Sequence, residues 1–185
     1  MEKTKIFAFA GSLRKGSYNK AILRAAAKLL PENAEMEIFD LEGIPLFNQD
    51  LEMEAVAKVK ELKEKIKAAD AILIATAEYN YSIPGVLKNA IDWASRPYGD
   101  NSFDNKPLAI MGASTGSIAT ARAQYHLRQS CVFLNMHPLN KPEVMVGFVQ
   151  EKLDENGELN DEKTKELIKS MLVNLVALTK QLKCS

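Results

Sequence analysis

Residues 6–19, IFAFAGSLRKGSYN, decide how this chain is built. The apolar residues 6–10 read as a buried strand. They run into Gly11-Ser12-Leu13-Arg14-Lys15-Gly16-Ser17-Tyr18-Asn19, and a helical pattern follows over residues 18–30 until Pro31 stops it. A strand that ends in a loop of glycine, serine and arginine before a helix presents free backbone N–H groups, hydroxyls and a cation together. The positive end of the helix dipole adds to them, and the result is the chemistry of a phosphate cradle. Two familiar phosphate motifs narrowly fail. The dinucleotide fingerprint needs a second glycine where Leu13 stands, and the triphosphate loop needs a lysine where Ser17 stands. A terminal monophosphate needs neither, since Ser12, Ser17, Asn19 and the Arg14 guanidinium suffice without a metal. The plainer reading of the same residues is an N-capped helix after an ordinary turn.

Outward from this segment, strand and helix patterns alternate to the end of the chain. Residues 35–41 alternate as a strand, and residues 54–67 form a charged amphipathic helix with Val56, Val59, Leu62 and Ile66 on its inner face. Residues 71–75, AILIA, are an unbroken apolar strand of the kind buried on both faces of a parallel sheet. A helix over 84–93 follows, then a polar connector over 95–106 and a strand over 107–111. A helix over 117–133, a last strand over 143–146 and a C-terminal helix over 161–183 complete the pattern. Five strands separated by helices, with no repeat or composition break, predict one α/β domain spanning residues 1–185. The expected architecture is a three-layer sandwich around a five-stranded parallel sheet of order 2-1-3-4-5. Loops after the first, third and fourth strands then converge at the C-terminal edge, where such sheets bind ligands.

The other two loops carry complementary chemistry. Thr76-Ala77-Glu78-Tyr79-Asn80-Tyr81-Ser82 offers aromatic faces and in-plane polar groups, the mixture a flat heteroaromatic ligand requires. The same residues would also serve as tyrosines covering the end of the sheet. Gly112-Ala113-Ser114-Thr115-Gly116 fits the nucleophile elbow G-x-S-x-G, yet the first acid after Ser114 is Glu143 and no histidine follows it. The two histidines, His126 and His137, have no partner at metal-ligand spacing, so no metal site is expected. With no evident protein nucleophile, the chemistry is expected to reside in a cofactor.

Composition narrows the partners. The 185 residues carry 24 Lys+Arg and 24 Asp+Glu, which leaves no net field to attract nucleic acid or an anionic membrane. Cys131 and Cys184 read as free thiols in a reducing compartment, and neither a signal peptide nor a membrane span is legible. A cytoplasmic location is the expectation.

Three segments taken together, GSLRKGSYN, AEYNYSIPGVLKNAIDW and GASTGSIATARAQYHLRQ, resemble the NADPH-dependent FMN reductase family, whose flavodoxin-like members include quinone, azo-dye and chromate reductases. The resemblance covers about residues 4–150. It implies that Ser12, Arg14, Ser17 and Asn19 hold the FMN phosphate. Glu78, Tyr79, Asn80 and Tyr81 would line the isoalloxazine, with Ser114 and Gly116 flanking the same ring. It also implies hydride transfer from NADPH or NADH to FMN, then two-electron reduction of a small-molecule acceptor. Ala77 departs from a common family proline, and Ala119 and Thr120 from common glycines. The contending reading is a flavodoxin-type electron carrier, which is usually strongly acidic. A phospho-receiver domain is excluded, because Gly11-Ser12 and Thr76-Ala77 stand where its acids belong. Finally, Val86, Leu87, Ala90, Ile91 and Trp93 wrap around more than one helix face. This predicts a homodimer or homotetramer built on that helix, with Tyr98 or Phe103 reaching toward a partner's flavin.

Overall fold

Alternation along the strands sorts the side chains into two layers of core. The computed structural model describes residues 3–184. Strands β1 (Thr4–Ala10), β2 (Ala34–Phe39), β3 (Ala71–Ala75) and β4 (Pro107–Ala113) are parallel neighbours in the order β2-β1-β3-β4, and the next position is shared by β5 (His137–Pro138) and β6 (Val144–Val146). Ile6, Ala8, Leu73 and Met111 face one way, onto α1 (Tyr18–Lys28) and α5 (Glu162–Lys183). Phe7, Phe9, Ile72, Ile74 and Ile110 face the other way. There they meet α2 (Ala57–Ala68), α3 (Gly85–Ala94) and α4 (Ala121–Leu134). Helices on both faces explain why β3 and β4 are buried at every residue, while the edge strand β2 keeps the half-exposed pattern of its sequence. The expected flavodoxin-like order is the observed one.

The departures have local causes. The fifth position is broken: the chain takes six steps from Pro138 to Val144 where its partner β4 takes three, from Leu108 to Met111. Pro138 and Pro142 have no N–H to give a ladder, so no continuous apolar run marks this lane. The sequence reading found its second half and missed β5. Helix α2 begins later than expected, with Val56 as its exposed N-cap rather than on its inner face, and residues 49–54 form a short 3₁₀ turn. Helix α4 starts at Ala121 rather than 117, after a turn in which Ala119 takes a left-handed φ of 54°. That conformation favours the glycine commonly found there in the family.

Trp93 corrects the expected interface. It is 2% exposed within its own chain, donates from Nε1 to the Pro45 carbonyl at 2.8 Å, and meets Phe47 edge-on at 5.1 Å. Asn89, one turn earlier, donates to the same carbonyl and accepts from the Phe47 N–H at 2.7 Å. Arg96 pairs with Glu52 at 3.0 Å. The surplus apolar surface of α3 is therefore spent on pinning a strap, residues 44–54. Phe103 is likewise buried at 1% exposure, whereas Tyr98 stays exposed beneath the Arg96 guanidinium.

The connector over 95–106 is fastened too. Lys63 donates to the carbonyls of Arg96 and Asp100 and pairs with the Asp100 carboxylate at 2.8 Å; Lys67 pairs with the same carboxylate. These lysine hydrogen bonds hold the Asp100 carboxyl below its ordinary 3.8. A depressed carboxyl contributes stability that is complete above that ordinary value and is lost as pH falls through the lowered one. Asp100→Asn should therefore lower the thermal midpoint at pH 7 by about 1–3 °C, a modest amount because the pair is partly exposed. The difference should close as the pH falls through that lowered value. A pH-independent difference in melting scans would assign the effect to something other than charge.

Candidate active site

Each of the three loops at the C-terminal edge is shaped by what its backbone does. In the first, Ser17 caps α1 by accepting from the Lys20 N–H at 3.3 Å, and the Ser12 hydroxyl accepts from the Arg14 N–H at 3.3 Å. The Arg14 guanidinium turns back to the Gly16 carbonyl, at 2.6 Å from Nη2, and lies 5.1 Å from the centre of the Tyr18 ring. The backbone N–H groups of Leu13, Lys15, Gly16, Tyr18 and Asn19 have no acceptor among the described residues. A loop with that many open donors beside a guanidinium and a helix N-terminus fits a phosphate dianion.

Asn19 is used differently from the other three phosphate candidates. Its side chain is 3% exposed and spans to β4: Nδ2 donates to the Ala113 carbonyl at 3.1 Å, and Oδ1 accepts from the Ala113 N–H at 2.9 Å. The side chain thus ties the first loop to the third, and its backbone N–H is what remains for a ligand.

In the second loop, Tyr79 and Ser82 exchange reciprocal backbone bonds of 3.0 Å, closing a two-residue turn. Its tip residues, Asn80 and Tyr81, take φ of 49° and 67°. Tyr79 and Tyr81 are exposed, at 54% and 67%. The Glu78 carboxylate reaches α4 instead of the next turn: Oε1 lies 3.2 Å from Arg122 Nη1, and Oε2 accepts from the Ala123 N–H at 3.1 Å. Arg122 also stacks over the Tyr81 ring at 4.0 Å, and His126 Nδ1 lies 3.0 Å from Ser82 Oγ.

The third loop is drawn tight by glycines. At Gly112 a Cβ would stand 2.0 Å from Thr120 Oγ1, and at Gly147 2.9 Å from the Ser117 carbonyl. Ser114 donates its N–H to the Val146 carbonyl at 3.0 Å, and its hydroxyl accepts from the Gly116 N–H at 3.2 Å. His126 is engaged with Ser82 and His137 lies in β5, so neither completes a hydrolase triad with Ser114.

Ser12, Arg14, Ser17, Asn19, Glu78, Tyr79 and Ser114 line one cleft of about 250 Å³, joined by Tyr18, Ala77 and Thr115. Asn80, Tyr81 and Gly116 stand outside that lining on exposed backbone. A larger groove of about 690 Å³ runs between β1, β2 and α2, but its four glutamates, Glu35, Glu37, Glu61 and Glu64, outnumber Lys5 and Lys65, and Lys65 is already paired with Glu37, so it suits a phosphate poorly. Arg122 and the Ala123 N–H are absent from the sequence reading, because no local pattern couples Glu78 to residues 44 and 45 positions away. Among the described residues no group of three or more His, Cys, Asp and Glu could hold a metal ion. No described helix is long and apolar enough to cross a membrane.

A parallel sheet of this order, with its loops meeting over one cleft, defines the flavodoxin-like class. Comparison with known proteins narrows the class. The sequence pattern of the NADPH-dependent FMN reductase family matches residues 4–151. An NAD(P)H-dependent FMN reductase of Pseudomonas aeruginosa is 52% identical over 180 residues, 97% of each chain. A quinone reductase of Escherichia coli is 45% identical over 167 residues, 88% of each chain. Among solved structures, FerB, a flavoenzyme NAD(P)H:(acceptor) oxidoreductase from Paracoccus denitrificans, superposes with a TM-score of 0.88 at 35% identity, covering 96% of this chain and 98% of that one. The chain belongs to the NADPH-dependent FMN reductase family, a family of oxidoreductases whose cofactors are FMN and NAD(P)H.

Proposed function

We propose that the protein is an FMN-dependent NAD(P)H oxidoreductase acting on quinone-like acceptors, with azo compounds and oxyanions as further acceptors, in a single domain over residues 1–185. The observation that carries this reading is one cleft lined together by Ser12, Arg14, Ser17 and the open N–H bearers Tyr18 and Asn19 of the first loop, by Glu78 and Tyr79 of the second and by Ser114 of the third. Bound FMN would supply the two-electron chemistry between the NAD(P)H donor and the acceptor. The chain's own work is to bind and orient. Ser12, Arg14, Ser17 and the open N–H groups hold the phosphate. The backbone of residues 77–81 and the Ser114–Gly116 segment border the ring, and the exposed tyrosines provide the face on which flat donors and acceptors alternate. A formal net charge of +0 and a loop bearing Arg14 and Lys15 favour a nicotinamide donor over the protein partners of an acidic electron carrier.

Anaerobic NADPH should bleach the yellow protein, and steady-state kinetics with a quinone should give parallel double-reciprocal lines. Retained flavin that neither nicotinamide reduces would favour the carrier instead. A charge-assisted hydrogen bond is worth about 1.5–3 kcal/mol, so Arg14→Ala should weaken FMN binding about 10- to 150-fold. Unchanged affinity in a titration would remove this loop from the site.

Self-association is part of the same proposal, moved from Trp93 to the surface the fold leaves apolar. Leu46 and Met53 on the strap and Val132 and Phe133 at the end of α4 are 85%, 78%, 83% and 75% exposed. Phe133 lines a groove with Phe47 and Gln49, rimmed by Lys88, Asp92 and Arg96, so the strap and the end of α4 border one groove, and exposed apolar residues with a polar rim are what interfaces cover. Light scattering should give a multiple of 20.5 kDa, and a monomer mass would end this reading. Free Cys131 and Cys184 suit a reducing compartment, and we place the protein in the cytoplasm.

A further inference from the structure

Helix α4 begins without a cap of its own. Thr120 stands at its N-cap but makes no side-chain bond to the first turn. The missing acceptor arrives from the second loop, as Glu78 Oε2 on the Ala123 N–H at 3.1 Å, with Oε1 3.2 Å from Arg122. Both carboxylate oxygens are thereby committed to α4, and the side chain is only 10% exposed. A carboxylate at this end of a helix is favoured by the dipole as well as by the bond.

The residues that follow Glu78 need such an anchor. Tyr81 holds φ at 67°, a conformation that a bulky side chain adopts only when its surroundings impose it. The surroundings are again α4: Arg122 covers the Tyr81 ring at 4.0 Å, and His126 reaches Ser82 at 3.0 Å. Glu78, Tyr81 and Ser82 are thus fastened by residues 122, 123 and 126, all within the first two turns of one helix. The hairpin tip itself is exposed and contributes little packing of its own.

We propose that Glu78 is a positioning residue for flavin binding: its carboxylate grips the N-terminus of α4, and through that grip sets where the backbone of residues 79–81 meets the ring. The proposal rests on the FMN reading above. It separates Glu78 from a residue that touches the flavin, because its charge is spent on Arg122 and Ala123. Arg122 is the second member of the device, since it neutralises the carboxylate and clamps Tyr81 at once.

The test compares wild type, Glu78→Gln, Glu78→Ala and Arg122→Met by FMN titration, the midpoint potential of bound FMN, thermal melting, and amide hydrogen exchange at Tyr79 and Ser82 without FMN. If the hairpin of Glu78→Ala holds the binding geometry a tenth of the time, its apparent Kd rises about tenfold. The midpoint potential should shift and the two amides should exchange faster. Glu78→Gln keeps an acceptor for the Ala123 N–H and should recover most of the affinity. Arg122→Met should give a smaller loss, and faster exchange at Ser82. Wild-type affinity and potential in Glu78→Ala, even with a lower melting temperature, would overturn the proposal and leave Glu78 as a helix cap. Should that variant not fold, Glu78→Asp, one methylene too short to hold both partners, carries the same expectation and the same refutation. A wild type that binds no FMN would refute the functional reading. The hairpin device would then be judged on amide exchange alone, and unchanged exchange would refute it.

Discussion

Gly112→Ala should be the most damaging single methyl that can be added to this chain. The new Cβ would stand 2.0 Å from Thr120 Oγ1, 2.9 Å from Thr120 Cβ and 2.4 Å from the Thr76 carbonyl. None of these can yield cheaply. Thr76 follows β3, and its N–H is bonded to the Met111 carbonyl at 2.9 Å; Thr120 is fully buried, with its hydroxyl accepting from Gln124 at 3.1 Å. Overpacking of a well-filled core costs about 1–3 kcal/mol, and contacts this short on backbone belong at or beyond the upper end. For a domain of this length that means a loss of about 10 °C in thermal midpoint or a failure to accumulate as soluble protein. Gly112→Ala combined with Thr120→Gly should recover part of the loss, because the Thr76 contact remains. A single variant that melts like wild type would show that the third loop is not packed as described. Thr120 fills the notch that Gly112 leaves.

The second large effect is expected at Asn19. Replacing it by alanine removes both bonds to Ala113 and leaves a buried N–H and C=O without partners. Each orphaned group costs about 1–3 kcal/mol, so the total is about 2–6 kcal/mol, or roughly 5–20 °C in thermal midpoint. Because the bond pair joins the phosphate loop to the Ser114 loop, FMN affinity should fall as well. Asn19→Asp should not rescue either property: it keeps an acceptor for the Ala113 N–H but sets a carboxylate against the Ala113 carbonyl. Melting and flavin titration on the same samples check this. A destabilised variant with undiminished affinity would mean that the two loops are not coupled through Asn19.

What could be read in the sequence follows a physical divide. Strands β1, β3 and β4 were legible because burial on both faces demands continuous apolar runs, and the Gly11–Asn19 loop because its composition suits little else. The broken fifth position was half legible, since two prolines remove the run that would have announced β5. The burial of Trp93 is hidden from the sequence for a related reason. Apolar residues around α3 are visible in one dimension, but the strap that consumes them, residues 44–54, returns from 42 to 48 positions upstream and has no periodicity. Asn19 and Glu78 were picked out as site residues on composition, yet their side-chain partners, Ala113 and Arg122, lie 94 and 44 positions away. Contacts at such separations belong to the topology, and only the assembled sheet reveals them.

The interrupted lane at the end of the sheet also governs how copies of this chain can meet. A free sheet edge is a template for fibrils when a neighbouring molecule can extend its ladder. On one border, Pro138, Pro142 and the three extra residues between β5 and β6 put the donors out of step with any straight strand. On the other, Glu35 and Glu37 of β2 set negative charge where a second β2 would bring the same. Both borders thus resist open-ended polymer growth, which leaves any contact between copies to the strap and the helical surfaces.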